Sequence, residues 1–332
     1  MSQSLTARQE LVKGTRQVFE SASFELSDCA GAPAFDLLAK KRISLLTKIL
    51  QNLDSFKKQH SMDLRLASCH LSAYPLIVGE RSSHRDMQSG VVYDRYHIPA
   101  MTLETLQKIL LEKKSPHKRA ARGGIYLQIS GTVMRKLREK HGMSRKQLAN
   151  ELSVSDRAIH AYETGTMFPS ERHEGKMIRL LGREIIGSLD LFKENTKGDS
   201  LPESSTPQTL LQREASQYLE EKGHKISWFR YAPFSGISKV QGERETRLIL
   251  GITDDLETDE NRQRIQVTAS MTRLAQKPWF WIVEDDSTIS EDSGLPILTL
   301  HDLESIRKEA LLERLLRLFF DFQNREYSLN QS

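Results

Sequence analysis

Short apolar runs and stretches of helical period follow one another in the same order at both ends of the chain. In the first third, a period near 3.6 residues predicts a helix over 5–21, then strand-like segments at 24–26, 34–40 and 45–50. An amphipathic helix reaching about Leu71 comes next, followed by apolar segments at 75–79 and 97–102 and a helix over 103–111. The last third repeats the order: helix 209–222, strands 226–230, 232–237 and 247–252, a helix through Leu274, strand 279–283, and segment 294–299 leading into a final helix. Local echoes support the pairing, Ile98-Pro-Ala-Met-Thr-Leu-Glu-Thr-Leu106 against Leu295-Pro-Ile-Leu-Thr-Leu-His-Asp-Leu-Glu304. Short apolar strands alternating with helices read as small α/β domains with buried sheets, and the matched order as an internal duplication.

The middle third carries mainly helical periods. A helix is expected over 132–141, with Val133 and Leu137 on one face and Gly142 turning the chain. Ser144 and Gln147 spell an S-x-x-Q capping box, which opens a second helix bearing Leu148 and Leu152 one turn apart. Ala149 is small enough to let another helix cross closely. Ser153-Val154-Ser155 should turn the chain with Val154 as a buried pin, and Ser155 should cap a short helix with Ala158, Ile159 and Tyr162 inward. Gly165 closes that helix, and Pro169-Ser170 begins another carrying Met177, Leu180 and Leu181. Polar breaks give the expected domains: 1–114, an N-terminal α/β domain; 115–192, the helical middle; 193–208, a linker; 209–332, a C-terminal α/β domain.

Charge changes the picture at one place. The 332 residues include 48 Lys+Arg and 44 Asp+Glu, a net of +4. Residues 113–183 hold 16 basic and 6 acidic side chains, a net of +10, so the remainder sums to −6. A basic globular block is a footprint for a polyanion, because each neutralised phosphate releases counterions; a solvated charged face would look the same. With 28% charged and 38% hydrophobic residues, disorder throughout and a disulfide scaffold are both excluded. Cys29 and Cys69 alone are too few for a Cys-based zinc site and fit a reducing compartment. No run approaches the roughly 18–20 apolar residues of a membrane span, and the N-terminus lacks a signal-peptide core. A cytoplasmic protein without membrane contact is expected.

The string Met143–Gly165 resembles the helix-turn-helix of the Cro/C1, or lambda repressor-like, family. Leu148-Ala149, Val154-Ser155, Ile159, Tyr162-Glu163 and Gly165 match at that family's spacing, while Ser153 stands where the family often has Gly. The resemblance implies an all-α domain with its motif at about 143–164 and a recognition helix, about 156–164, in the major groove of double-stranded DNA. It implies that Asp156 and Arg157, with His160 and Ala161 one turn on and Ser155 at the cap, approach base edges. Arg157 is the candidate for a bidentate contact to guanine. Arg145 and Lys146 fall where family members grip phosphate, and Glu163 is expected to buttress the fold. Lys118, Arg119 and Arg122 either add phosphate contacts or form an exposed linker.

The outer domains resemble restriction-endonuclease-like folds. Such nucleases hold divalent metal with an Asp followed by a carboxylate-x-Lys. Asp36 and Lys48 fit two of those places, but Leu46 stands at the second acid, and the C-terminal copy has Ser235 and Leu248-Ile-Leu250 there. Both copies are expected to be inactive, serving dimerisation or ligand sensing. Over nearly its whole length the chain also resembles a family of archaeal HTH-type transcriptional regulators, through segments 35–39, 75–80, 90–96 and 121–127. His70 beside Cys69, and His160 with His173, lack metal-ligand spacing. Gly123-Gly124 reads as a turn before a strand at 125–129. The last helix carries a stripe of Leu303, Ile306, Leu312, Leu315, Leu316 and Phe319, joined by Phe320 and Phe322, that reads as core or as a dimerisation surface.

The expectation is an α+β multidomain transcriptional regulator: a central all-α helix-turn-helix domain between two small α/β domains, binding operator DNA as a homodimer. No catalytic residue, cofactor or metal is expected. The alternatives are a helix-turn-helix-targeted, metal-dependent nuclease using Asp36 and Lys48, and an antitoxin-like protein-interaction scaffold.

Overall fold

The computed structural model describes residues 2–29, 31–192, 202–240, 246–285 and 295–329. Residues 193–201 of the expected linker and Gly294 of the expected last strand segment lie outside the described residues. The first elements are α1 (Ser2–Ser21), β1 (Glu25–Asp28), β2 (Leu37–Lys40), β3 (Ser44–Asn52), α2 (Lys58–His70), β4 (Ala73–Ser82), β5 (Arg85–Asp86), β6 (Val91–Arg95), β7 (Ile98–Met101) and α3 (Leu103–Leu110). Then come β8 (Lys118–Ala121), β9 (Gly124–Leu127), α4 (Gly131–Lys140), α5 (Arg145–Leu152), α6 (Asp156–Thr164) and α7 (Glu174–Leu181). The last are α8 (Leu210–Glu221), β10 (His224–Trp228), β11 (Gly236–Val240), β12 (Thr246–Ile252), α9 (Asp259–Ala275), β13 (Trp279–Val283), β14 (Ile297–Thr299), α10 (Leu300–Ser305) and α11 (Lys308–Leu329).

These elements form two compact units that cut across the expected consecutive domains. One comprises residues 1–22, 49–56 and 76–196; the other comprises 23–48, 57–75 and 197–332. Residues of the expected domain 1–114 contribute to both units, and contacts within the second unit show how. There β1 and β2 lie against α9, with Ser27 Oγ 2.9 Å from Ser270 Oγ and the Cys29 thiol on Met271. Buried Asp63, on α2, accepts the backbone N–H groups of Arg230 at 2.9 Å and Tyr231 at 2.6 Å. A buried carboxylate needs such partners. Burial still raises the Asp63 pKa, against the pull of these two bonds.

The sheet of the second unit runs β10-β11-β12-β13-β14, antiparallel up to β12 and parallel beyond it. A strand covered on both faces needs apolar residues throughout, and all five residues of β13 are buried. Leu211, Ala215 and Leu219 of α8 and Leu311 and Leu315 of α11 close over Leu248, Leu250, Phe280 and Ile282. Two expectations need correction here. Strand 232–237 begins only at Gly236, because Pro233 has no N–H to give a ladder and 231–235 bends instead. The final helix is two helices, since Ile306 leaves the helical region at ψ 130°. Its stripe is core: Leu303, Leu315 and Phe319 are buried, and Ile306, Leu312 and Leu316 pack on the same cluster, leaving Phe320 exposed.

The other sheet has the order β1-β2-β3-β4-β7-β6-β8-β9, with β5 on β4. Its β1-β2-β3 part is antiparallel and β4 and β7 are parallel, the directions found in β10-β11-β12 and β13-β14. Within the first unit β6 pairs in parallel with β8, Val91 opposite Lys118, and β8 turns back antiparallel into β9. The expected boundary at 113–119 thus leads straight into a strand, whose ladder bonds satisfy its backbone. Gly123 and Gly124 make the β8–β9 turn at φ 97° and 148°, conformations open to glycine. At the end of β9 the Leu127 N–H donates to Pro169 O, and just past it the Ser130 N–H donates to Ile185 O, both at 2.8 Å, tying the following helices to this strand.

Candidate nucleic-acid interface

The four helices α4–α7 surround one apolar cluster. Met134, Leu148, Ala149, Leu152, Ile159, Tyr162, Met177 and Leu181 are buried in it, whereas Val154 and Ala158, expected inside, are half-buried at its edge. The capping box forms in both directions: the Gln147 N–H donates to Ser144 Oγ at 3.2 Å and the Ser144 N–H to Gln147 Oε1 at 2.7 Å. Ser153 ends α5 at φ 55°, in the left-handed region that favours glycine. Ser155 Oγ accepts the Ala158 N–H at 3.1 Å and so starts α6. Gly131 lets the start of α4 meet the end of α6, for a Cβ there would fall 2.4 Å from Glu163 O.

Glu163 buttresses this arrangement. Its carboxylate accepts Arg138 Nε at 2.5 Å and Nη2 at 3.3 Å, and Arg138 Nη1 also donates to Met143 O at 2.8 Å. The Glu163 hydrogen bond raises the Arg138 pKa despite burial. Sequence reasoning named Glu163 but not its partner. The available signal was a basic residue next to Leu137 on the inward side of the predicted helix.

On the exposed face, Arg145 Nη1 lies 3.0 Å from His160 Nδ1, and its Nε is 3.9 Å from Asp156 Oδ1. Arg145, Asp156 and His160 are thus brought together, though exposed pairs of this kind contribute about 0–1 kcal/mol. Lys146 and Arg157 are exposed, and neither has a partner among the described residues. Ala161 is half-buried, and its carbonyl accepts the Thr166 and Met167 N–H groups at 3.0 and 3.3 Å. Lys118 departs from the expected basic loop: in β8 its Nζ is 2.8 Å from Glu174 and 3.7 Å from Glu171. Burial of Glu174 is outweighed by its hydrogen bonds from Lys118 and His117, which lower its pKa. Arg119 and Arg122 remain exposed. Met167 and Phe168, exposed just past α6, went unremarked in the sequence. Buried His173 accepts Arg172 Nε at 3.0 Å, and burial lowers its pKa. Among the described residues, no three His, Cys, Asp or Glu side chains gather as a metal site.

Comparison with known proteins agrees with this geometry. The profile of a helix-turn-helix domain matches residues 131–184, and that of a PD-(D/E)XK superfamily domain matches 8–116. A protein of Pyrococcus abyssi is 30% identical, covering 92% of this chain and 96% of its own length. One of Thermococcus kodakarensis is 30% identical over 97% and 99% of the two chains, and one of Methanocaldococcus jannaschii 30% over 90% and 93%. Each is named "Putative HTH-type transcriptional regulatory protein". The chain belongs to this family of archaeal HTH-type transcriptional regulatory proteins. No solved structure matches it.

In this member of the regulator family, the PD-(D/E)XK match covers Asp36 and Lys48. Lys48 Nζ lies 3.2 Å from Asp36 Oδ1, both side chains nearly buried. Leu46, at the place of the second acid, is fully buried and offers no ligand oxygen. A divalent cation takes hard oxygen donors, several of them carboxylate. One aspartate already held by a lysine does not fit that need. Among the described residues, no helix is long and apolar enough to cross a membrane.

Proposed function

We propose that this family member is a sequence-specific, Cro/C1-type DNA-binding regulator that lays α6 in the major groove of operator DNA. The observation that carries the proposal is Arg157 and Lys146, exposed and without a partner among the described residues, on two helices fixed by caps and a shared core. A guanidinium so placed can donate to guanine O6 and N7 together. Lys146, at the start of α5, can neutralise a phosphate beside that helix's free N–H groups. Asp156 can accept from cytosine or hold Arg145 in place, while His160, Ala161 and the Ser155 cap complete the face. One short helix reads few bases, so a homodimer on half-sites about 34 Å apart, in the cytoplasm, completes the reading.

The test is mapping of bound sites across the genome, repeated with Arg157→Ala. Affinity should fall by about 1–3 kcal/mol with specificity relaxed at one position. Binding unchanged in strength and pattern would remove α6 as the recognition helix. The PD-(D/E)XK similarity favours a second reading, a metal-dependent nuclease targeted by the helix-turn-helix. We expect no magnesium-dependent cutting of duplex or branched DNA; cutting that Asp36→Ala abolished would establish that reading instead.

A further inference from the structure

Arg264, on α9 in the second unit, carries a charge that the proposed DNA contacts leave unused. Among the described residues, its half-buried guanidinium has only neutral acceptors: Pro233 O at 3.2 Å, Asn261 Oδ1 at 3.1 Å and Ser235 Oγ at 3.5 Å. It rests 5.5 Å over the buried ring of Trp281. No carboxylate among the described residues lies within ion-pair distance. A guanidinium has five N–H donors in a fixed fork, so donors remain for an oxyanion. Burial lowers the Arg264 pKa, with Glu260 nearby opposing it. An incoming anion would relieve that cost.

Two cavities of about 350 and 360 Å³ share Arg264, Glu260 and Gln212 in their walls. One opens beyond the carboxyl ends of the parallel strands β12 and β13, at Thr253 and Glu284, where open α/β sheets commonly bind ligands. The other is lined by Phe229, Ala232, Pro233 and Phe234 among others. Each falls in the range of about 300–1,000 Å³ typical of small-molecule sites. The first cavity also holds the carboxylates of Glu214, Asp254, Glu260 and Glu284, which repel a multiply charged anion.

We propose that these cavities form one site for a small zwitterion of the α-amino-acid class. Its carboxylate lies on Arg264, its ammonium on Glu260 one helical turn away, and its side chain against Phe229 and Phe234. The site is independent of the DNA-reading face, so it is tested by direct binding rather than through DNA.

Isothermal titration of the full chain with the common α-amino acids should find at least one with a Kd of about 1 mM or tighter. The matching carboxylic acid without its amine should bind about tenfold more weakly, as should the amino acid to Arg264→Gln, with part of the loss recovered in Arg264→Lys. Glu260→Gln alters an exposed side chain with no bond among the described residues, should keep the fold, and should weaken the same amino acid. The proposal is overturned if no α-amino acid binds the folded wild type, if inorganic phosphate or a dicarboxylate binds in preference, or if Glu260→Gln leaves the affinity unchanged.

Discussion

At the scale of single residues, the buried charges decide most. Arg138 and Glu163 are exposed by only 8% and 5%. Removing one partner of a buried pair strands the other, at a cost of about 3–5 kcal/mol. Glu163→Ala should lower the urea midpoint accordingly, and replacing both with apolar residues of similar volume should recover most of the loss. His224 is the opposite case, a buried base kept neutral. Its Nδ1 lies 2.7 Å from Ser238 Oγ, and burial pushes its pKa from 6.5 down to about 4. Between those values the unfolded chain binds the proton and the folded one does not. Stability should therefore be full above pH 6.5 and fall by about 3 kcal/mol as the pH drops through 4. Denaturant titrations across that window should show the decline. His224→Gln should flatten it, leaving what His60 and His173, also lowered by burial, contribute.

At the scale of elements, caps and close approaches fix the helices that carry the proposed interface. Gly131 is pressed against the end of α6, and a methyl group there meets backbone oxygens of Tyr162 and Glu163 at 2.5 and 2.4 Å. Backbone cannot swing aside as a side chain can. Gly131→Ala should cost about 1–3 kcal/mol in a melting experiment and displace the end of α6. The two helices of the motif and their caps were legible because the signals are local: Ser144 with Gln147, then Ser155 with Ala158. The division of the last helix at Ile306 was not, because the apolar stripe runs on across the break. Lys118 misled for a related reason. Its basic neighbours suggest a loop, while the carboxylates that hold it lie more than fifty residues on, at Glu171 and Glu174.

At the scale of the whole molecule, the uneven charge is the property that bears on the proposed DNA binding. A net of +10 over 113–183 against −6 elsewhere concentrates attraction for phosphate in the residues that carry the helix-turn-helix. Binding should weaken steeply with salt, and Lys146→Ala should lower the slope of log K against log salt by about one without changing site preference. Fluorescence anisotropy on a mapped site across a salt series measures this. A slope equal to that of the wild type would take Lys146 off the phosphate.

Periodicity, caps and turn residues by themselves determined the helix-turn-helix, the mixed α/β character and most of the element order, though not the strands at 85–86 and 91–95. These depend on contacts within a few residues, where spacing dictates which side chains share a face. The missing acid at Leu46 was equally plain. Only the tertiary structure decided which segments share a core, because that depends on groups far apart along the chain. Asp63 finds its donors at Arg230 and Tyr231, and Cys29 its neighbour at Met271, so residues 23–48 and 57–75 pack in one unit with the C-terminal part. The same reason hid Arg264. In the sequence it is one arginine on an amphipathic helix, and its lack of a carboxylate partner among the described residues emerges only once Trp281, Pro233 and Ser235 are gathered round it.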